Sequence, residues 1–95
     1  MNATQEQILD TAITLAGVHG YDRVSRAMVA RKMSVSEALV SYYWTAPDLR
    51  SAILRRAIER ENLPIIAQGL VDRHPLALEA PADLRIRAAE SIVAD

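Results

Sequence analysis

Between Ser25 and Thr45 the chain sets out side chains suited to hydrogen bonding with anionic oxygens and with the polar edges of flat rings. Ser25, Ser36, Ser41 and Thr45 bring hydroxyls, Tyr42 and Tyr43 bring phenols on apolar rings, and Glu37 brings an acceptor. Arg23, Arg26, Arg31 and Lys32 supply cations over a stretch, Arg23 to Ser36, that holds no acid. Such a set fits nucleic acid, with hydroxyls and cations for phosphates and the remaining groups for base edges. Taken alone, the basic run reads equally well as a solvated face, so its position has to decide. No nucleophile–base pair, glycine-rich phosphate loop or paired carboxylate stands anywhere in the sequence, and an enzyme is not expected. His19 and His74 have no ligand-spaced partner and there is no cysteine, so neither a metal nor another cofactor is expected.

The elements that must position these groups are helices. Ser25 caps a helix over 26–33 with Val29 and Ala30 facing inward, Ser34-Val35 makes a turn, and Ser36 caps a helix over 37–44. Val40 and Trp44 form an apolar i, i+4 pair, which turns Glu37, Ala38, Ser41 and Tyr42 outward. Of the two tyrosines, Tyr43 is expected to pack inward. Two short helices around a tight turn are a helix-turn-helix, whose second helix lies in the major groove of DNA. A helical hairpin without any DNA role would show the same apolar stripe.

Before this segment, Thr4 and Gln7 suggest a capping box, followed by an apolar stripe of Ile8, Leu9, Ala12, Leu15 and Ala16. Gly20 ends that helix in a left-handed turn, and Tyr21 and Val24 return to the core. After it, Thr45-Ala46-Pro47-Asp48 starts a helix running to about Glu61 that buries Leu49, Ile53, Leu54, Ala57 and Ile58. A fifth helix is expected over 64–72 with Ile65, Ile66 and Leu70. Residues 74–81 read as a loop or one loose turn. A last helix over 82–94 places Leu84, Ala88, Ile92 and Val93 on one side.

The class is therefore all-α, a three-helix headpiece followed by a short helical segment, five to six helices in total. Residues 1–61 are expected to form the helix-turn-helix region, and 62–95 an extension of the same compact domain. The hydrophobic content of 51% rules out a disordered tail and is high for 95 residues, which suggests burial against a second subunit. A net charge of −1 gives no global pull toward nucleic acid, so non-specific affinity should be modest. No stretch has the apolar length of a membrane span and the start lacks the features of a signal peptide, so a cytoplasmic protein is expected, without membrane contact. The preference for Arg over Lys says nothing about function.

From Ile8 to about Leu54 the chain resembles the DNA-binding domain of the tetracycline-repressor (TetR) family. The shared elements are Ile8-Leu9-Asp10-Thr11-Ala12, Gly20-Tyr21, Ser25 with Val29-Ala30, Ser34-Val35-Ser36, and the closing aromatic Trp44. The resemblance implies that Glu37, Ala38, Leu39, Ser41, Tyr42 and Tyr43 occupy groove-facing positions. Ser25 would cap its helix and also donate to a phosphate. Glu37 could accept from a cytosine amino group or simply serve the first turn of its helix. The chain departs from the family at Ser34, where a small residue, often Gly, is usual, and at Ser41, where a Tyr is usual. Pro47 stands where a Lys is common, and the step from Trp44 to Leu49 is one residue short. One phosphate anchor is thereby lost, with Arg26 or Arg23 as its substitute.

Family members run to about twice this length, and residues 62–95 are too few to enclose a ligand pocket of the usual ~300 Å³. Control by a small-molecule inducer is accordingly not expected. The resemblance implies a sequence-specific DNA-binding regulator, a repressor acting as a homodimer on a palindromic operator of double-stranded DNA, with 62–95 as the dimerisation region. A monomer whose C-terminal helices fold back as a cap is the alternative for that region. The alternative for the whole is a helical interaction module, an adaptor or antirepressor that does not touch DNA.

Overall fold

Asn2 opens the first helix. In the computed structural model, which describes residues 1–93 and side chains as far as Ile92, the Gln5 amide donates to Asn2 Oδ1 at 2.8 Å. The Asn2 amide returns a bond to Gln5 Oε1 at 3.4 Å, closing a capping box. The expected box at Thr4 and Gln7 is thus displaced by an equivalent one two residues earlier, and Thr4 lies inside α1 (Ala3–His19). Asn is among the strongest N-caps, and the earlier start gives α1 two further helical residues. Ile8, Leu9, Ala12 and Ala16 are buried as the stripe requires, while Leu15 is half-buried.

Gly20 ends α1 by donating to Ala16 O at 2.9 Å, with φ 93° and ψ 142°. The positive φ was expected, but the ψ is extended rather than left-handed helical, a combination open essentially to glycine. The extended ψ leads into a 3-10 turn at Tyr21–Arg23 that drives the Tyr21 ring into the core at 1% exposure. Helix α2 (Arg26–Met33) and α3 (Glu37–Tyr43) follow, α1 packing on the 3-10 turn and on α2, and α2 on α3.

Helix α4 (Ala46–Glu59) starts where Thr45 Oγ1 accepts from the Asp48 amide at 3.2 Å, which makes Pro47 its second residue. Leu49, Ala52, Ile53, Leu54 and Ala57 are buried, whereas Ile58 is only half-buried. Asn62 caps α5 (Leu63–Val71), which buries Ile65 and Ile66 and leaves Leu70 half-buried. Each fully buried Ile or Leu contributes about 1.5–3 kcal/mol of hydrophobic stabilisation.

The segment expected as a loop contains a one-turn helix, α6 (Pro75–Leu78). His74 Nδ1 accepts from the Leu76 amide at 3.2 Å, and Pro75 holds the first helical φ. Helix α7 (Ala82–Val93) buries Leu84 and Ala88 but leaves Ile92 49% exposed, against the expected inward side. The expected end at Ala94 and the Val93 side chain lie outside the described residues. The described residues therefore form seven α-helices and no strand, the extra helix being α6.

The chain divides into two compact units, Met1–Ile53 and Leu54 onward, with the boundary within α4. In the second unit α5 packs against α6 and α7. Gly69 makes this packing possible. A Cβ there would lie 2.8 Å from Leu54 Cδ2 and 2.9 Å from Ala77 Cβ, closer than carbon atoms tolerate.

Candidate nucleic-acid interface

The geometry of the helix-turn-helix is set by hydrogen bonds at its joint. Ser25 Oγ accepts from the Met28 amide at 3.1 Å and fixes the start of α2. At the other end, the Val35 amide reaches Ala30 O at 3.0 Å and the Ser34 amide reaches Arg31 O at 3.2 Å. These two bonds are a Schellman motif, and they place Ser34 in the left-handed conformation with φ 59° and ψ 42°. A non-glycine residue pays about 1–2 kcal/mol there, which is the physical meaning of the departure from Gly at this position. Ser36 follows at once as the cap of α3, its Oγ accepting from the Leu39 amide at 3.1 Å.

Val40 is buried and anchors α3 on α2, which turns the opposite face outward. Glu37, Ala38, Leu39 and Tyr42 are exposed, Tyr42 at 81%. Ser41 and Tyr43 are half-buried, so Tyr43 is turned inward relative to Tyr42 but is not a core residue. The two tyrosine rings meet edge to face with centroids 5.0 Å apart, an arrangement that steadies the exposed ring. Ser25, Ser36 and Thr45 are all exposed. Each hydroxyl oxygen already accepts a backbone amide, while its O–H proton stays available to donate outward.

Trp44 differs from its expected place. It is not the last residue of α3 but its C-cap, in extended conformation, and it is half-buried rather than core. The cause is the Thr45–Asp48 cap immediately after it, which begins a new helix and forces α3 to stop. Its indole Nε1 is buried and has no hydrogen-bond partner among the described residues, an arrangement that costs about 1–3 kcal/mol. Its carbonyl, by contrast, accepts from Arg26 Nη1 at 3.3 Å. Arg26 is half-buried along this contact, whereas Arg23, Arg31 and Lys32 are exposed. The sequence offered no signal for the Arg26–Trp44 bond, because it joins residues 18 positions apart.

The structure thus brings the hydroxyls, the exposed Tyr42 and Glu37 onto α3 and the starts of the helices flanking it. Among the described residues no cluster of His, Asp or Glu could hold a metal, and no helix is long and apolar enough to cross a membrane. Residues 8–46 match the family model of bacterial regulatory proteins, tetR family. Among curated proteins, none matches the chain. Among solved structures, none does either.

Proposed function

We propose that this protein is a sequence-specific repressor that reads the major groove with α3, a reading supported by the match of residues 8–46 to the tetR family model. The observation that carries the reading is the exposed face of α3, where Tyr42 stands 81% free of protein contact beside Glu37, Ala38 and Leu39. A ring this exposed gains little for folding beyond its contact with Tyr43, but it suits apolar contact with thymine methyls and hydrogen bonding to a phosphate. Ser41 and Tyr43 border that face. Ser25, Ser36 and Thr45 donate to phosphates from helix starts, and Arg23, Arg31 and Lys32 supply the electrostatic attraction.

One such segment covers a small stretch of duplex, and a two-fold dimer on a palindromic site is the usual remedy. The second unit supports a homodimer: Val71, Leu78, Ile86 and Ile92 are exposed apolar side chains on three of its helices. The site of action is the cytoplasm, where the operator lies.

A second reading, an adaptor or antirepressor without DNA contact, is favoured by the exposed carboxylate of Glu37 and by Pro47 in place of a cation. Fluorescence anisotropy decides, using duplex DNA from upstream of the protein's own gene against a shuffled duplex at low and moderate salt. A repressor binds the first selectively and weakens steeply as salt rises. Equal or absent binding to both duplexes across the salt range would favour the interaction module.

A further inference from the structure

We infer that Arg26 is a positioning residue that locks the end of the recognition helix, and not a phosphate anchor. The inference rests on the DNA-binding reading above. Arg26 is the first residue of α2 and Trp44 is the C-cap of α3, so the bond from Nη1 to the Trp44 carbonyl ties the start of one helix to the end of the other. A further tie, beside the packing of Val40, is the turn at Ser34-Val35, which joins the end of α2 to the start of α3. With both in place, α3 is held at its two ends.

The need for the second tie lies in Trp44 itself. Its buried indole Nε1 meets no acceptor among the described residues, which favours movement of the side chain toward water, and its backbone is already extended rather than helical. The last turn of α3 carries Tyr42 and Tyr43, so any loosening at Trp44 moves the groove-facing rings. A charged donor on the carbonyl of the same residue opposes that loosening. Arg26 is also the half-buried member of its basic run, while Arg23, Arg31 and Lys32 are exposed and free to meet phosphates.

Salt dependence separates the two roles. A phosphate contact contributes about 0.9 to the slope of log affinity against log salt, and a brace contributes nothing to it. In Arg26→Ala and Arg26→Gln, affinity for the upstream duplex should fall about tenfold with the slope unchanged. The sole tryptophan gives a second readout that needs no DNA. In both variants free of DNA, Trp44 emission should shift to the red and acrylamide should quench it more strongly than in the parent protein. Circular dichroism confirms that each variant is folded, and Arg26→Gln serves where Arg26→Ala is not.

A slope lowered by about one in either variant overturns the inference in favour of a phosphate anchor. Unchanged Trp44 emission and quenching in both folded variants overturns it as well. If no duplex binds the parent protein, the DNA-binding reading fails separately, while the Trp44 measurement still tests the brace.

Discussion

The joint between α2 and α3 and the joint between α4 and α5 are closed by the same pair of backbone bonds. In the first, Val35 reaches Ala30 O and Ser34 reaches Arg31 O. In the second, Asn62 reaches Ala57 O at 2.8 Å and Glu61 reaches Ile58 O at 3.2 Å. Both put a non-glycine residue in the left-handed region, Ser34 with φ 59° and Glu61 with φ 53°. The surroundings differ. Glu61 Oε1 takes a 2.7 Å bond from Arg87 Nη1, so its strained residue has a partner on α7. Ser34 is exposed beside a helix whose outer face sets Glu37 and the Tyr42 ring beside Ala38 and Leu39. The helices after Glu61 instead expose Val71, Leu78, Ile86 and Ile92. One joint thus presents a surface suited to a polar, charged partner, and the other leads into a unit suited to an apolar one.

The largest test of this contrast is Ile92→Asp. A dimer built on the second unit should fall to monomer mass in sedimentation, with helicity retained because Ile92 is half-exposed. An unchanged mass would remove that surface from the interface. Next, Ile65→Ala should cost about 2–5 kcal/mol in urea unfolding, since it empties a fully buried site in α5. A cost below that range would show that the second unit is loosely packed.

Tyr42→Ala should leave the melting temperature almost unmoved and reduce DNA affinity about tenfold, equivalent to about 1.4 kcal/mol. If affinity held, α3 would not be the reading element. The smallest effect compares the joints directly. Ser34→Gly should stabilise by about 0.5–1 kcal/mol, as relief of the left-handed strain outweighs the added freedom of the unfolded chain. Glu61→Gly should gain little or nothing, because it also removes the pair with Arg87, an exposed bridge worth about 0–1 kcal/mol. Equal gains from the two would mean that the Arg87 contact contributes nothing.

The headpiece was legible because its signals are local. Ser25 and Ser36 act within three residues of themselves, Gly20 marks a break that needs its backbone, and Val29, Ala30 and Val40 follow helical periodicity. Where two local signals competed, Asn2–Gln5 prevailed over Thr4–Gln7, because Asn is the stronger N-cap and only one box can start α1. The turn at Pro75–Leu78 was half-seen, since proline at a helix start was visible but an imidazole acting as cap was not.

Three things left no trace in the sequence. The left-handed residues Glu61 and Arg73 carry none of the Gly or Asn preference that marks such a turn. The Arg26–Trp44 bond spans two helices. The exposure of Ile92 depends on how α7 packs on its neighbours, which periodicity alone does not give. The residues proposed to touch DNA stand on the outward side or at helix starts, but which base or phosphate each meets depends on a duplex that the sequence does not contain.

At Asn62 and again at His74, the residue that closes one helix also opens the next. The Asn62 amide reaches Ala57 O while its side chain accepts from Ile65, and the His74 amide reaches Gly69 O while its ring accepts from Leu76. No residue is left over between the two tasks. Insertion or deletion of a single residue at either point would undo the end of one helix and the beginning of the next together. The second unit is therefore constrained at these corners in chain length as well as in residue type, because the spacing and the capping side chains of Asn62 and His74 serve two helices at once.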